Sequence, residues 1–376
     1  MHELKVKEPP YHIFFLFLGC VACLFLIQPY LFEEILSSIF HGNDSIIISS
    51  TIFPRNLSID IGILIIVDEK INLNDYWQAL ASIECYAGIH GYGFKIVKIN
   101  DYWRSQCNNK NIQFLRHCIA SKLLKTHEWT LFLSPETGIV NPDRLIEEFI
   151  VDENADIIFY DRLLNWEISS DSFLARNSTF ATQFLMKFAQ LENELSTTFH
   201  WLFLQEFYLS TSFLQLSPSD CWSILSTSKS DDDYQVFKAC CRQILGERHK
   251  FCIGSNCIHL IPKGKAWIRD VTITDSTWSL ENDFMFYGWR ESYRIPTVEE
   301  NGAWTRASRR LLYSSWYSPL ASMIFDQESC KNGTFLWKWH QSLLISNNEL
   351  NEILDNVLEK SQSDFLKSLS SIPNFL

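Results

Sequence analysis

Short apolar runs and longer amphipathic stretches alternate between residues 60 and 160. Four of the runs predict strands, at residues 61–67, 94–99, 130–133 and 156–160. The first is a continuous apolar run, which predicts a strand buried on both faces of a parallel sheet. The stretches between them predict three helices, at residues 75–90, 113–125 and 142–149, with Asn141 as the cap of the third and Pro142 as its first residue. This order predicts an α/β domain with a mostly parallel sheet and helices on both faces.

The second half of the chain has a less regular pattern. Asn177 is a predicted cap for a helix over residues 178–191, and the acidic run at residues 231–233 predicts a solvated loop or a helix start rather than a metal site. Near the end, apolar residues at helical spacing predict a helix that packs on the domain: Leu350, Ile353, Leu354, Val357 and Leu358. A dimer or partner surface is the alternative for this stripe.

Residues 13–32 carry no charge, and about 20 such residues are enough to cross a bilayer. No small-residue cleavage site follows, and Lys5 and Lys7 precede the segment, so we predict a single-pass signal anchor with a lumenal C-terminal portion. The chain then divides into a cytoplasmic tail (1–12), the anchor (13–32), a stem (33–59), the main domain (60–300) and an extension packed on it (301–376). The predicted location is the membrane of the Golgi or the endoplasmic reticulum.

Composition and charge narrow the class of protein. A net charge of −12 with no basic face argues against nucleic acid as a partner. Nine of the 11 cysteines follow the anchor, which predicts several disulfides and at least one free thiol in an oxidising compartment. Cys252 and Cys257 have no partner set at zinc-ligand spacing. The glycosylation sequons agree with a lumenal address: Asn43, Asn56, Asn177 and Asn332.

Polar residues follow three of the predicted strands directly. Asp68 comes after the first strand, the sequence Ser-Pro-Glu at residues 134–136 comes after the third, and Asp161 comes after the fourth. Ligands of parallel sheets bind outside the carboxyl ends of the strands. The sequence therefore predicts a ligand site that these residues share.

An ordered set of sequence blocks resembles the glycosyltransferase-A-type enzymes that use nucleotide sugars. The blocks lie at residues 116–118 (RHC), 129–142 (WTLFLSPETGIVNP), 156–167, 172–177 and 283–290 (DFMFYGWR). More narrowly, the chain is similar to a nematode family of glycosyltransferase-A-like proteins related to galactosyl- and mannosyltransferases. The resemblance covers residues 60–295 in patches, and it implies a Rossmann-like sheet of the glycosyltransferase-A type.

The resemblance also implies a cofactor, Mn²⁺ or Mg²⁺, which neutralises the diphosphate of a nucleoside-diphosphate sugar. The family has Asp, Asp and His as ligands at the positions that match Ser134, Glu136 and Tyr287 of this chain. Glu136 is the one carboxylate among the three. We therefore expect a degenerate metal site.

Catalytic roles transfer by resemblance to Glu206, Asp161 and Glu167. In ungapped register the family's active-site Asp becomes Phe203, and a shift of three residues brings Glu206 into that role. The implied substrate-binding residues are Asp68, Arg116, Asn165, Trp166, Arg176 and Arg290.

Two arginines of that set could offset phosphate charge without a metal, because a guanidinium suits phosphate geometry. They are Arg176 and Arg290. An ion pair of Arg176 with Glu167 or Asp171 is at least as consistent with the sequence. His117 is predicted to be a packed side chain rather than a catalytic one.

Two functions follow from these expectations. The first is a type II membrane glycosyltransferase that moves a sugar from a nucleoside-diphosphate sugar to a glycan or glycoprotein, with reduced or absent metal-dependent catalysis. The second is a pseudoenzyme that binds a glycan, a nucleotide sugar or a partner glycosyltransferase in the lumen.

Overall fold

The computed structural model describes residues 45–48, 59–152, 154–194, 219–295, 315–321 and 324–372. The chain divides into two units, residues 1–46 and 47–376. Strand β1 (Ser45–Ile48) falls across that boundary, and the other described elements belong to the second unit.

The sheet of the second unit confirms the predicted α/β class. Its seven strands have the order β3-β2-β4-β7-β6-β9-β8, and five of them run in one direction while β7 and β8 run in the other. The strands are β2 (Ile61–Asp68), β3 (Gly93–Ile99), β4 (Trp129–Leu133), β6 (Ala155–Tyr160), β7 (Phe173–Arg176), β8 (Lys250–Ile253) and β9 (Asn256–Ile261). All four predicted strands are present.

The α-helices among the described residues are α1 (Trp77–His90), α2 (Asp101–Gln106), α3 (Ile112–Leu123), α4 (Thr179–Gln190), α5 (Ser219–Thr227), α6 (Asp231–Leu245), α7 (Gln327–Lys331) and α8 (Asn347–Ser370). The helices predicted at 75–90, 113–125 and 178–191 correspond to α1, α3 and α4. The acidic run starts α6, where the Ser230 hydroxyl accepts a hydrogen bond from the Asp233 backbone N–H.

Strand β2 shows how the sheet is buried on both faces. Ile63 and Ile65 pack into a core cluster on one face, together with α1. The alternate residues Leu64 and Ile66 pack into a second cluster with α3 and α4. Because successive side chains of a strand point to opposite faces, a continuous apolar run is needed to fill both cores.

The prediction of a helix at residues 142–149 is wrong. The Asn141 side chain accepts a hydrogen bond from the Asp143 backbone N–H at 3.1 Å and forms a local turn around Pro142. Leu145 is extended, with φ −112° and ψ 145°, and a four-residue 3₁₀ helix, Ile146–Phe149, follows. Local side-chain bonding competes with helix formation at such positions, so this segment has no α-helical turn.

A second, three-stranded sheet contains β5 (Thr137–Ile139), β10 (Ile268–Asp270) and β11 (Met285–Tyr287) in the order β10-β11-β5. In its register Asp270 is opposite Tyr287, and Tyr287 is opposite Thr137. None of these three-residue strands was predicted. The last strand of the chain, β12 (Trp337–His340), contributes Trp337 and Trp339 to the core on the α1 face.

The C-terminal helix packs on the domain, as its apolar stripe predicts. Leu350 and Leu354 of α8 are buried against Leu163, which follows β6. Lys263 also holds this helix, because its ammonium donates to the Ser361 hydroxyl at 2.9 Å.

Four disulfides join the cysteines that follow the predicted anchor: Cys85–Cys330, Cys107–Cys118, Cys221–Cys240 and Cys252–Cys257. Cys241 is a buried thiol that takes no part in a disulfide. The prediction of several disulfides plus a further thiol outside them is therefore confirmed. Cys85–Cys330 ties α1 to α7 across 245 residues of sequence.

The predicted anchor at residues 13–32 lies outside the described residues, as do the sequons at Asn43 and Asn56. No helix in the described part of the chain is long and apolar enough to span a membrane. The sequon asparagines Asn177 and Asn332 are both exposed.

Candidate functional site

The carboxyl ends of β2, β4 and β6 lie at one edge of the large sheet. Strands β2 and β4 are parallel, and β6 is parallel to β4 because both are antiparallel to β7. Asp68, Ser134 and Asp161 therefore lie at this edge, as expected from the sequence. Ligands of open α/β sheets bind in this position.

The small sheet brings the Ser-Pro-Glu segment to Tyr287. The backbone oxygen of Glu136 accepts hydrogen bonds from Gly288 N at 3.0 Å and Trp289 N at 2.9 Å. Gly138 permits this approach, since a Cβ atom there would lie 2.1 Å from the Trp289 ring. Gly288 has φ +102°, a conformation that favours glycine. Residues about 150 positions apart in sequence are thus held in fixed contact.

The resulting edge cleft has a volume of about 260 Å³ and is lined by Glu136, Asp270, Thr272, Tyr287, Gly288, Arg290 and Tyr293. Arg290 Nε lies 3.9 Å from Glu136 Oε1 and 3.4 Å from Asp75 Oδ2. Its guanidinium also lies over the rings of Tyr76 and Tyr293. A half-buried cation therefore lies between two carboxylates and two aromatic rings.

Asp171 is a carboxylate of this region that the sequence did not identify as a site residue. It pairs with Arg116 of α3 at 3.3 Å, and its charge affects the pKa of both Glu136 and Tyr287. The sequence suggested Asp171 only as a partner for Arg176. Asp171 lies just before β7, which is inserted between β4 and β6 and runs antiparallel to both. Because that strand was not predicted, the sequence could not indicate the position of Asp171.

Burial affects the protonation of Glu136 and Tyr287, two residues at positions where the resemblance implies metal ligands. It raises the pKa of the Glu136 carboxyl, while the Arg290 charge opposes that rise. Burial also raises the pKa of the Tyr287 phenol, and the nearby Asp171 and Glu136 add to the effect. Tyr287 is therefore a neutral hydroxyl at physiological pH, available as a hydrogen-bond donor.

The residues at the three metal-ligand positions do not fit a divalent cation. The Ser134 hydroxyl accepts a 3.4 Å hydrogen bond from the Glu136 backbone N–H, Tyr287 is neutral, and Glu136 faces Arg290. Mn²⁺ and Mg²⁺ require several oxygen ligands, preferably carboxylates. Across the described ranges, no group of three or more His, Cys, Asp or Glu side chains could hold a metal ion.

Asp161 and Glu167, both predicted to be catalytic, form an inner charge cluster with Lys238 and Arg242 of α6. Asp161 Oδ2 lies 3.0 Å from Arg242, and Glu167 Oε1 lies 2.8 Å from the fully buried Lys238 ammonium. Burial alone would raise the pKa of Glu167, but Lys238 and Arg162 hold it below its ordinary value. Burial raises the pKa of Asp161 despite Arg242. Each carboxylate therefore has a cation partner, and both also line a cavity next to this cluster. Their catalytic roles stay predictions.

Arg162 connects the inner charge cluster to the edge cleft. It lies 3.6 Å from Glu167, forms an ion pair with Asp270, and its guanidinium is 5.4 Å from the centre of the Tyr287 ring. A second cavity of about 50 Å³ lies along this connection, between Asp161 and Tyr287.

Asn165 and Trp166, predicted to bind substrate, have structural contacts. The Asn165 amide donates to Glu167, and its backbone oxygen accepts a hydrogen bond from Lys263. Trp166 is buried against Phe365 of α8. Neither residue lines the edge cleft.

The remaining predicted residues are spread over the fold. Asp68 lies at the sheet edge and pairs with Arg104 at 3.2 Å. Arg176 is in register with Trp129, the first residue of β4, so it lies at the opposite end of that strand from Ser134. His117 is packed, as predicted.

Glu206 lies outside the described residues, as does the segment at residues 199–203. Its predicted catalytic role therefore stays a prediction.

Comparison with known proteins identifies the family and gives weak structural similarity. No functionally curated protein matches the chain. A solved structure that matches is titled "crystal structure of a glycosyltransferase involved in the glycosylation of the major capsid of PBCV-1"; it is 14% identical, and the match covers 61% of this chain and 93% of that one with a TM-score of 0.38. That TM-score is too low to establish a common fold. A family model with the description "Protein of unknown function, DUF273" matches residues 83–301, more than half of the chain, and the chain therefore belongs to this family.

Proposed function

We propose that this chain is a glycosyltransferase-type membrane protein of the secretory pathway that binds a nucleoside-diphosphate sugar at the edge cleft. The observation that carries the proposal is the meeting of Glu136, Tyr287 and Arg290 at the carboxyl edge of the sheet. They come from two of the blocks that resemble sugar-nucleotide enzymes, and they meet where such sheets bind ligands.

The lumenal location is part of the same proposal. Four disulfides are consistent with folding in an oxidising compartment, and Asn177 and Asn332 are exposed sequon residues. The uncharged segment at residues 13–32 would serve as the anchor. Reduced or absent metal-dependent catalysis follows from the poor ligand set at Ser134 and Tyr287.

A second candidate is a glycan- or protein-binding pseudoenzyme. The observation that favours it is the pairing of cations near the cleft: Arg116 contacts Asp171, Arg162 contacts Asp270, and Arg290 lies between Asp75 and Glu136. An arginine that is already paired with a carboxylate attracts a phosphate less strongly. The carboxylate oxygens that remain can accept hydrogen bonds from sugar hydroxyls.

Thermal unfolding of the full-length chain in detergent tests the first candidate. UDP- and GDP-sugars are added in EDTA or in Mn²⁺, with the free sugars as controls. A ligand at a hundredfold excess over its Kd stabilises by about 2.7 kcal/mol, which corresponds to a rise in Tm of roughly 3–4 °C for a chain of this length.

We expect that rise with a nucleotide sugar in EDTA. A rise that requires Mn²⁺ would show a functional metal site. If no nucleotide sugar raises Tm while oligosaccharides do, the pseudoenzyme is the correct assignment.

A further inference from the structure

We propose that Arg290 is the residue that contacts the ligand's diphosphate, and that Glu136 is its resident counter-ion rather than a metal ligand. This inference rests on the proposed function and assigns the cation's role to a side chain of this protein. It rests on the hydrogen bonds that hold the backbone around Arg290 and on the long distances between its guanidinium and the neighbouring carboxylates.

The backbone around Arg290 is held by hydrogen bonds and by a stack of two tryptophan rings. The Arg290 carbonyl oxygen accepts a hydrogen bond from Trp316 Nε1 at 2.7 Å, and the preceding residue, Trp289, donates to the backbone of Glu136. The Trp289 and Trp316 rings stack with centroids 5.1 Å apart. Arg290 therefore needs no backbone rearrangement to present its guanidinium, which is the preorganisation that an anion site requires.

Two aromatic rings hold the guanidinium at the cleft. Its central carbon lies 5.5 Å from the Tyr76 ring centroid and 5.3 Å from the Tyr293 centroid. These contacts favour a charged group and restrict its side-chain rotamers. About a third of the side chain stays accessible to solvent.

The carboxylates beside Arg290 are weak partners. Asp75 is already engaged, because its two oxygens accept hydrogen bonds from Ser292 N at 2.7 Å and Ser292 Oγ at 3.1 Å. Arg290 Nε is 3.4 Å from Asp75 and 3.9 Å from Glu136, and this buried nitrogen has no hydrogen-bond partner. Charge-assisted bonds are normally about 2.7–2.9 Å long. A phosphate oxygen can therefore offer Arg290 a better bond than either carboxylate does.

The two possible roles of Glu136 predict opposite effects for Glu136→Gln. If Glu136 held a metal, the neutral amide would weaken binding of metal and diphosphate together. If Glu136 is a counter-ion, the same change removes a negative charge that competes with phosphate for Arg290. Its structural contacts run through the backbone oxygen, so the substitution preserves the link to Gly288 and Trp289.

The experiment measures binding of inorganic pyrophosphate and of UDP and GDP to the full-length protein by calorimetry, in EDTA and in Mn²⁺. The variants are Arg290→Gln, Arg290→Lys and Glu136→Gln, and Arg248→Gln is the matched control at an exposed arginine before β8. In EDTA we expect Arg290→Gln to weaken binding at least tenfold, Arg290→Lys to weaken it less, and Glu136→Gln to strengthen it several-fold. The control variant, Arg248→Gln, should bind each probe with the same affinity as the wild type.

Two other results would each reject a different statement. If the wild type binds a nucleotide only with Mn²⁺ and Glu136→Gln abolishes that binding, Glu136 is a metal ligand and the inference is wrong, while the proposed function stands. If the wild type binds none of the probes in either condition, the nucleotide-binding function itself is wrong. Circular dichroism of each variant separates a loss of binding from a loss of fold.

Discussion

The edge cleft and the inner charge cluster lie at the same edge of the sheet but use charge in different ways. In the inner charge cluster, Lys238 and Arg242 form short contacts of 2.8 and 3.0 Å with buried carboxylates. In the edge cleft, Arg290 lies 3.4 and 3.9 Å from its carboxylates and is partly exposed. The first region uses its charges to hold the fold together, and the second leaves a cation partly exposed, as the proposed ligand role of Arg290 requires.

This difference bears on the carboxylates that the resemblance suggested as catalytic. Asp161 and Glu167 each have a cation of α6 as a partner. A buried pair is costly to break, since the remaining charge has neither water nor a partner. Both carboxylates therefore have a structural role, and their catalytic roles stay predictions.

The largest effect we expect comes from Lys238→Met. This change leaves Glu167 buried with only the 3.6 Å contact to Arg162 as an ion pair. Breaking a buried pair costs about 3–5 kcal/mol in the free energy of unfolding. Urea denaturation monitored by tryptophan fluorescence measures the loss.

The double variant Lys238→Met, Glu167→Leu is the control for that prediction. It removes both charges, and we expect it to recover at least half of the lost stability because no unpaired carboxylate remains. If Lys238→Met alone lowers the free energy of unfolding by less than about 1 kcal/mol, the inner charge cluster contributes no more than a surface ion pair does.

The sequence identified the large sheet well and the site only in part. Continuous apolar runs specify buried strands by themselves, which is why residues 61–67 and 130–133 were recognised as strands. The three-residue strands β5, β10 and β11 are too short to show periodicity, so the contact between Glu136 and Tyr287 had to come from resemblance. Lys238 is 71 positions from Glu167, and no local pattern links them. Long-range ion pairs of this kind determine which carboxylates stay available.

A second, intermediate effect concerns pH and His117, a buried side chain of α3. Burial lowers the pKa of His117 to about 4, from 6.5. Between these values the unfolded chain binds a proton that the folded protein excludes. The contribution of His117 to stability is therefore fully present above about pH 6.5 and is lost as pH decreases, by roughly 3 kcal/mol at pH 4.

His117→Phe isolates this contribution. Phenylalanine keeps a ring against Phe173 and Phe188 but cannot titrate, although it loses the hydrogen bond with the Gln113 oxygen. We expect unfolding free energies measured from pH 4 to 7 to fall less steeply in the variant than in the wild type. Equal slopes would mean that His117 titrates alike in the folded and unfolded chains because its surroundings are open to water, unlike the inner charge cluster.

The smallest effect on stability should come from Arg290→Gln, the variant that should have the largest effect on binding. Long, partly exposed ion pairs contribute about 0–1 kcal/mol, and the backbone contacts of residue 290 do not depend on its side chain. We therefore expect the free energy of unfolding to change by less than about 1 kcal/mol in the denaturation assay used for Lys238→Met. A loss as large as that of Lys238→Met would make Arg290 a structural residue, and the contrast between the two regions would disappear. A small loss together with weakened pyrophosphate binding would show that this arginine is held ready for a ligand, since a residue needed only for folding could not produce both results.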